Sequence, residues 1–305
     1  MRTPAPSHTS SRSTVPGRKP RLARFGVIAT AVLALTAAVL PSSTASAASS
    51  STVSAAGPAR HPSPKSTIVL VHGAWADGSS WNGEVKRLQD KGYTVEVAPN
   101  PLRGVSSDSD SLTAYLSTIA GPIVLVGHSH GGFVTTNAAT GNPNIKALVY
   151  VDAFVPDQGE SIGSLTTGSG SILEPALTDP ASVFTLRPFP GAPAGVADSY
   201  VLPNLFVTSF AADLPAREAN ALAAEQLPLA TNAFGETSGV PAWKTIPSWS
   251  LIGTADKVIP ATGQEAMSHR AGAHIVTVTG GSHLTLISHP RLVTDLIITA
   301  ELATS

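Results

Sequence analysis

The sequence predicts an α/β fold, a mostly parallel sheet covered by helices on both faces, with an inserted and mainly helical cap. Three observations carry this reading. Short apolar runs rich in Val and Ile, such as Thr67–Val71 and Ile123–Val126, read as strands buried on both faces. Stretches with helical spacing separate them, so strand and helix alternate from residue 67 to 151 and again from 248 to 302. Between the two blocks lie residues 156–245, which keep neither period.

The N-terminus stands apart from this pattern. Arg18, Lys19, Arg21 and Arg24 precede an uncharged apolar run, Phe25–Leu40, which leads to Pro41 and the small-residue stretch Ala45-Ser46-Ala47. That order predicts a secretory signal peptide over residues 1–47, and with it a secreted, extracellular protein. The run has 16 residues; a membrane-spanning helix needs ~20, so no stable membrane association is expected. Without an Arg-Arg pair before it, the general secretory route is favoured over the twin-arginine one. Residues 48–65 mix Ser, Ala and Pro without periodicity and read as a disordered leader.

The core is expected over residues 66–155 and 246–305. Its first block reads as strand Thr67–Val71, helix Ser79–Lys91, strand Tyr93–Ala98 and helix Ser106–Ile119. Strand Ile123–Val126, helix Phe133–Thr140, stopped by Gly141, and strand Ala147–Val151 complete it. The second block reads as strand Ser248–Ile252, helix Gln264–Ala271, strand His274–Val278 and helix Pro290–Leu302. Residues 156–245 hold ten prolines and lack sheet-like apolar runs, yet they carry five of the eight phenylalanines. So much aromatic surface argues against disorder, and a structureless loop of that length is uncommon in a compact domain; the segment is expected to be a cap (lid).

Charge narrows the partners. The full chain has a net charge of −1, but residues 1–47 hold six Lys/Arg and no acid, so the remaining 258 residues carry 13 basic and 20 acidic side chains. A net negative secreted protein is a poor partner for nucleic acid or an anionic membrane. The chain has no cysteine, which removes disulfides, thiol redox chemistry and a lipidated N-terminal Cys. At this length a single core is stable without disulfides.

Chemistry concentrates at Gly127-His128-Ser129-His130-Gly131, a G-x-S-x-G pattern lying between a strand and a helix. There a serine sits on a sharp turn above the carboxyl edge of the sheet, and small residues two before and two after let strand and helix approach. A serine hydroxyl needs a base, and the base an orienting carboxylate. Asp256, in GTADKVIP, follows the strand Ser248–Ile252, and His283, in TGGSHLTL, follows the strand His274–Val278. Parallel strands bring both loops to the edge that carries Ser129. The competing His269, His274 and His289 fall in a helix, at a strand start and before a proline. An oxyanion would need two N–H donors: one from His130, after the nucleophile, and one from the loop VHGAW, where Ala74 is the first choice and Trp75 the second.

The His-x-His spacing of His128 and His130 has no carboxylate cluster beside it, so neither a metal nor another cofactor is expected. His128 is expected beneath the turn, and His72 is expected to brace the oxyanion loop. Trp75 and Trp81 either line the substrate pocket or pack the first helix.

The segments VHGAWADGSSW (71–81), VGHSHGG (126–132), the Asp256 loop and GGSH (280–283) together resemble the α/β-hydrolase superfamily. Within it they are similar to the haloperoxidase/esterase and plant methylesterase/hydroxynitrile-lyase-like branches, over roughly residues 66–303. The resemblance implies the triad order Ser129, Asp256, His283. It also supplies a rival acid, Asp152, because some members carry the acid after the earlier strand; otherwise Asp152 is expected at the pocket floor or capping the turn. It implies a carboxylic ester hydrolase of esterase or lactonase type. Ser129 at the elbow argues against epoxide hydrolases and haloalkane dehalogenases, which use aspartate there. Leu284 stands where hydroxynitrile lyases carry a lysine. Phe184, Phe189, Phe206, Phe210, Phe234 and Trp243 offer the cap an apolar roof, which with the acidic surplus favours a small neutral, moderately hydrophobic ester or lactone. A cofactor-free perhydrolase resembling the haloperoxidases, or a non-catalytic ligand-binding protein on the same scaffold, would carry the same motifs.

Overall fold

The computed structural model describes residues 65–305; the expected signal peptide and nearly all of the expected leader lie outside them. The first block folds as β1 (Thr67–Val71), α1 (Asn82–Asp90), β2 (Val95–Ala98), α2 (Val105–Leu116), β3 (Ile123–His128), α3 (Gly131–Ala138) and β4 (Ile145–Val151). The insertion contributes α4 (Ile162–Thr166), β5 (Phe184–Arg187), β6 (Asp198–Val201), α5 (Pro203–Leu205), α6 (Ala216–Ala224) and β7 (Leu229–Ala230). The chain ends with β8 (Ser248–Gly253), α7 (Ala261–Arg270), β9 (His274–Val278), α8 (Thr285–Ser288) and α9 (Pro290–Thr304).

Six strands form one parallel sheet in the order β2-β1-β3-β4-β8-β9. The burial pattern explains the order. β3 is buried throughout and β1 nearly so, as continuous apolar runs demand, whereas HIVTV of β9 leaves most of its residues exposed or half-buried at one edge. α1 packs against α9, and α2 against α3; right-handed crossovers put these two pairs on opposite faces.

Register fixes where function can sit. Val71 pairs with Gly127, Gly127 with Tyr150, Val151 with Leu251, and Gly253 with Val278. The carboxyl ends are therefore level, and the loops beginning at His72, Ser129, Asp152, Thr254 and Thr279 emerge at one edge. Between β1 and β3 the direction of winding reverses, and ligands of open α/β sheets bind outside the strand ends at such a point.

The insertion contains the expected short helices and also a feature absent from the sequence reading, an antiparallel sheet β5-β6-β7. It is tied to the core by the Arg103–Asp198 ion pair at 2.6 Å and by Trp75, whose indole N–H donates to the Ser199 carbonyl at 2.9 Å. Its two ends are clipped together where the Trp243 N–H donates to the Pro156 carbonyl at 2.8 Å and Lys244 meets Asp157 at 2.8 Å. α7 starts three residues earlier than expected, directly after Pro260, which caps it in an extended conformation with ψ of 138°. Among the described residues no helix is long and apolar enough to cross a membrane.

Candidate active site

Ser129 follows β3 with φ of 52°, a left-handed conformation that costs a non-glycine residue about 1–3 kcal/mol. Two glycines make the corner possible. A Cβ on Gly127 would lie 2.7 Å from the Gly131 carbonyl oxygen, and one on Gly131 would lie 2.8 Å from that of Val71. Strand, turn and helix thus meet backbone to backbone, and the Ser129 side chain is held up from the sheet edge.

The three distant positions meet there. Ser129 Oγ lies 2.8 Å from His283 Nε2, and His283 Nδ1 lies 2.8 Å from Asp256 Oδ2. Asp256 also accepts from the N–H groups of Val258 (2.7 Å) and Ile259 (3.0 Å) and from the Gln264 amide (2.7 Å). With His283 that makes four donors for one carboxylate, which leaves no acceptor site for a proton. Ser129 is 3% exposed, His283 0% and Asp256 5%. Burial lowers the His283 pKa from its ordinary value, so the imidazole rests neutral, its Nδ1–H directed at Asp256 and its bare Nε2 at the serine hydroxyl. Burial raises the Asp256 pKa to about 8, which the donors from Ile259, Val258 and Gln264 oppose without cancelling; the contact with His283 Nδ1–H favours the carboxylate form.

Asp152 plays none of its three expected parts, and its carboxylate caps no turn after β4. It does not reach His283, and it does not line the pocket. With φ of 43° and no exposure, it turns its carboxylate to the Gly253 N–H at 2.8 Å and to the Thr285 N–H at 3.0 Å and hydroxyl. It thereby ties the end of β4 to both loops that carry Asp256 and His283. Burial, and after it the nearby Asp256 carboxylate, raise its pKa to about 7.

Among the described residues, the backbone N–H groups of Ala74, Trp75 and His130 have no hydrogen-bond partner. The Ala74 loop presses against the elbow, since a Cβ on Gly73 would lie 2.6 Å from Ser129 Cβ. His72 braces that loop through Nδ1 to the Gly73 carbonyl at 2.9 Å, and Asn100 donates to the His72 carbonyl at 2.9 Å. His128 packs below: Nε2–H donates to the His283 carbonyl at 2.9 Å, and burial lowers its pKa well below the usual range, which keeps it neutral. The side chain of His130 turns away, to Asp108 at 3.4 Å. No group of three or more metal-ligating side chains gathers among the described residues.

The two tryptophans divide the alternatives. Trp81 is fully buried against His128. Trp75 lines a narrow cavity with Ala74, Phe206, Phe210, Leu284 and Ile287, to which Asp77 and Glu225 add carboxylates. Phe210 stands edge-on to the His283 ring at 5.2 Å. This roof is fastened by Asp213, whose carboxylate accepts from the hydroxyls of Ser282 and of Ser288, the latter at 2.7 Å. Asp213, Gln264 and Thr285 escaped the sequence reading; only Gln264 had a local signal, an amide on the first turns of the helix after the Asp256 loop.

Comparisons with known proteins agree with this fold. A model of the alpha/beta hydrolase family matches residues 68–296. The chain is similar to a carbendazim hydrolyzing esterase of Nocardioides sp. (strain SG-4G), 34% identical over 113 residues, 33% of this chain and 47% of that one. It spans about half the length of the curated relatives it matches. Polyneuridine aldehyde esterase superposes with a TM-score of 0.62 at 18% identity, over 77% of this chain and 99% of that one. An extracellular alpha/beta-hydrolase from a Paenibacillus species does so with a TM-score of 0.61 at 22% identity, again over 77% and 99%.

Proposed function

Because the chain belongs to the alpha/beta hydrolase family, we propose that it is a secreted serine hydrolase cleaving neutral, moderately hydrophobic carboxylic esters or lactones. The observation that carries the reading is the unbroken chain of 2.8 Å contacts from Ser129 through His283 to Asp256 beneath an apolar roof. Ester chemistry is supported by the names of similar proteins, a carbendazim hydrolyzing esterase and a lipase. The carboxylates of Asp77 and Glu225 beside the cavity disfavour anionic substrates.

In this reading Ser129 Oγ attacks the substrate carbonyl while His283 Nε2 takes its proton. Asp256 holds the imidazole in the correct tautomer and stabilises the imidazolium that forms. The developing oxyanion receives the His130 N–H and that of Ala74 or Trp75, each worth ~3 kcal/mol in the transition state. His283 protonates the departing alcohol, leaving an acyl group on Ser129. Water, deprotonated by the same imidazole, then releases the acid. Exchanging water for peroxide would turn the same steps into perhydrolysis.

Hydrolysis of a p-nitrophenyl ester series by residues 48–305, with Ser129→Ala alongside, tests the proposal. Turnover of short or medium esters that vanishes in the variant is expected; a folded protein that turns over none of them refutes it. Secretion is tested separately by expressing the full chain: the protein recovered outside the cell should begin at Ala48, and retention inside with Met1 intact would count against it.

A further inference from the structure

An ester has two limbs, and a site that cleaves it must receive both. The cavity lined by Ala74, Trp75, Phe210 and Leu284 accounts for one of them. Its place identifies which. The departing alcohol must take its proton from His283 Nε2, so the alcohol limb lies on the His283 side. Leu284 is the next residue in the chain, and Phe210 covers the His283 ring at 5.2 Å. That cavity therefore suits the alcohol.

A second apolar recess lies within the cap, between α4, the short 3-10 turns at 174–182 and the turn at 231–234. It is lined by Ala176, Leu177, Pro180, Phe184, Thr231 and Phe234. No residue of the proposed hydrolytic machinery lines it. Phe184 and Phe234, which line it, also stand against Trp75. Phe184 stacks on Trp75 with centroids 5.4 Å apart, Phe234 stands 6.3 Å from Trp75, and the two phenylalanines are 5.6 Å from each other. Trp75 in turn adjoins the backbone of Ala74, where an oxyanion donor is offered. Phe184 is buried, but Phe234 is only half-buried, which makes it the more movable of the two rings. Leu177 keeps 37% of its surface exposed in this recess, apolar area that a bound chain would remove from water.

We propose that this recess is the acyl-chain subsite, taking a medium-length, unbranched, uncharged acyl group, with Phe234 as the gate between it and Trp75. The proposal rests on the ester hydrolase reading and narrows its substrate to esters whose hydrophobic limb is the acid.

The test uses two isomers of equal hydrophobic content, methyl octanoate and heptyl acetate, which place the same chain on opposite sides of the carbonyl. Leu177→Asp puts a charge in the recess at an exposed position; Thr231→Trp fills it from the other wall; Phe234→Ala opens the gate. Binding of both isomers to the Ser129→Ala protein is measured calorimetrically with and without each change, and turnover is measured in the Ser129 protein. Expected is a loss of about tenfold in affinity and kcat/KM for methyl octanoate with Leu177→Asp and Thr231→Trp, the equivalent of roughly two methylenes of lost burial. Heptyl acetate should change less than about twofold, and Phe234→Ala should favour methyl octanoate. Equal effects on both isomers, a loss confined to heptyl acetate, or no effect on either overturns the subsite. If neither isomer is hydrolysed but the variants still separate them by binding, the hydrolase reading fails and the subsite stands.

Discussion

Glu84 lies in α1 with 0% exposure, and neither of its carboxyl oxygens has a hydrogen-bond partner among the described residues. An isolated carboxylate is not tolerated in such a place, so burial raises its pKa from 4.5 to about 9. The group is then protonated in the native state and ionised in the unfolded chain near neutrality. Its contribution to stability is complete below pH 4.5 and is lost progressively as pH rises through about 9. Each unit in that window is worth ~1.4 kcal/mol, so at pH ~7 the native state gives up roughly 3 kcal/mol relative to a neutral side chain. Glu84→Gln removes the titration while keeping the shape. Urea denaturation of both proteins from pH ~5 to ~8 is the assay. The variant should be about equal or slightly weaker at the acid end and should gain on the parent by ~1.4 kcal/mol per unit. Two stability curves that run parallel across this range would refute the reasoning.

Four further outcomes are expected. Asp256→Asn should cut kcat by ~10³ to 10⁴ with little change in unfolding, because the imidazole loses its tautomer. Asp152→Asn should instead lower the free energy of unfolding by ~1–3 kcal/mol and leave the pH–rate profile in place; a reversal of these two phenotypes would exchange the roles of the two acids. Since burial lowers His283 and the base must be neutral, activity should persist below pH 6.5 and fall only as the imidazole finally protonates. An acid limb of kcat/KM at or above 6.5 would contradict that. Gly131→Ala should destabilise the fold by ~1–3 kcal/mol and abolish turnover, since its methyl would enter the Val71 carbonyl; full activity in this variant would show that the corner tolerates displacement.

Legibility in the sequence followed the range of the interactions. β1, β3 and β4 announce themselves because strands buried on both faces must be continuously apolar, and the elbow because its glycines are imposed by close backbone contacts, Gly127 with Gly131 and Gly131 with Val71. Asp256 and His283 could be placed by their positions after strands, since parallel register alone carries them to Ser129. Choosing between Asp256 and Asp152 needed more, because both follow a strand at the same edge, and only side-chain direction separates them. The cap was opaque for a different reason. β5 buries only Phe184 and β7 has two residues, so neither has a period to read. Asp213 is likewise an ordinary acid in a polar stretch until Ser282 and Ser288, some seventy residues on, are brought beneath it.

β4 and β8 are neighbours and parallel, so the chain that leaves the top of one must return to the bottom of the other. The stretch 238–240 begins that descent, strapped to α3 where the Gly239 N–H donates to Asn137 at 2.7 Å and to the turn after it where the Thr140 hydroxyl donates to the Val240 carbonyl at 2.8 Å. What sits above the sheet and what carries the chain back down are thus different pieces of one insertion. The upper piece can be exchanged, lengthened or rebuilt for another substrate provided the strap and the ties at Asp198, Ser199 and Asp213 are kept. The scaffold separates the evolution of specificity from the survival of its fold.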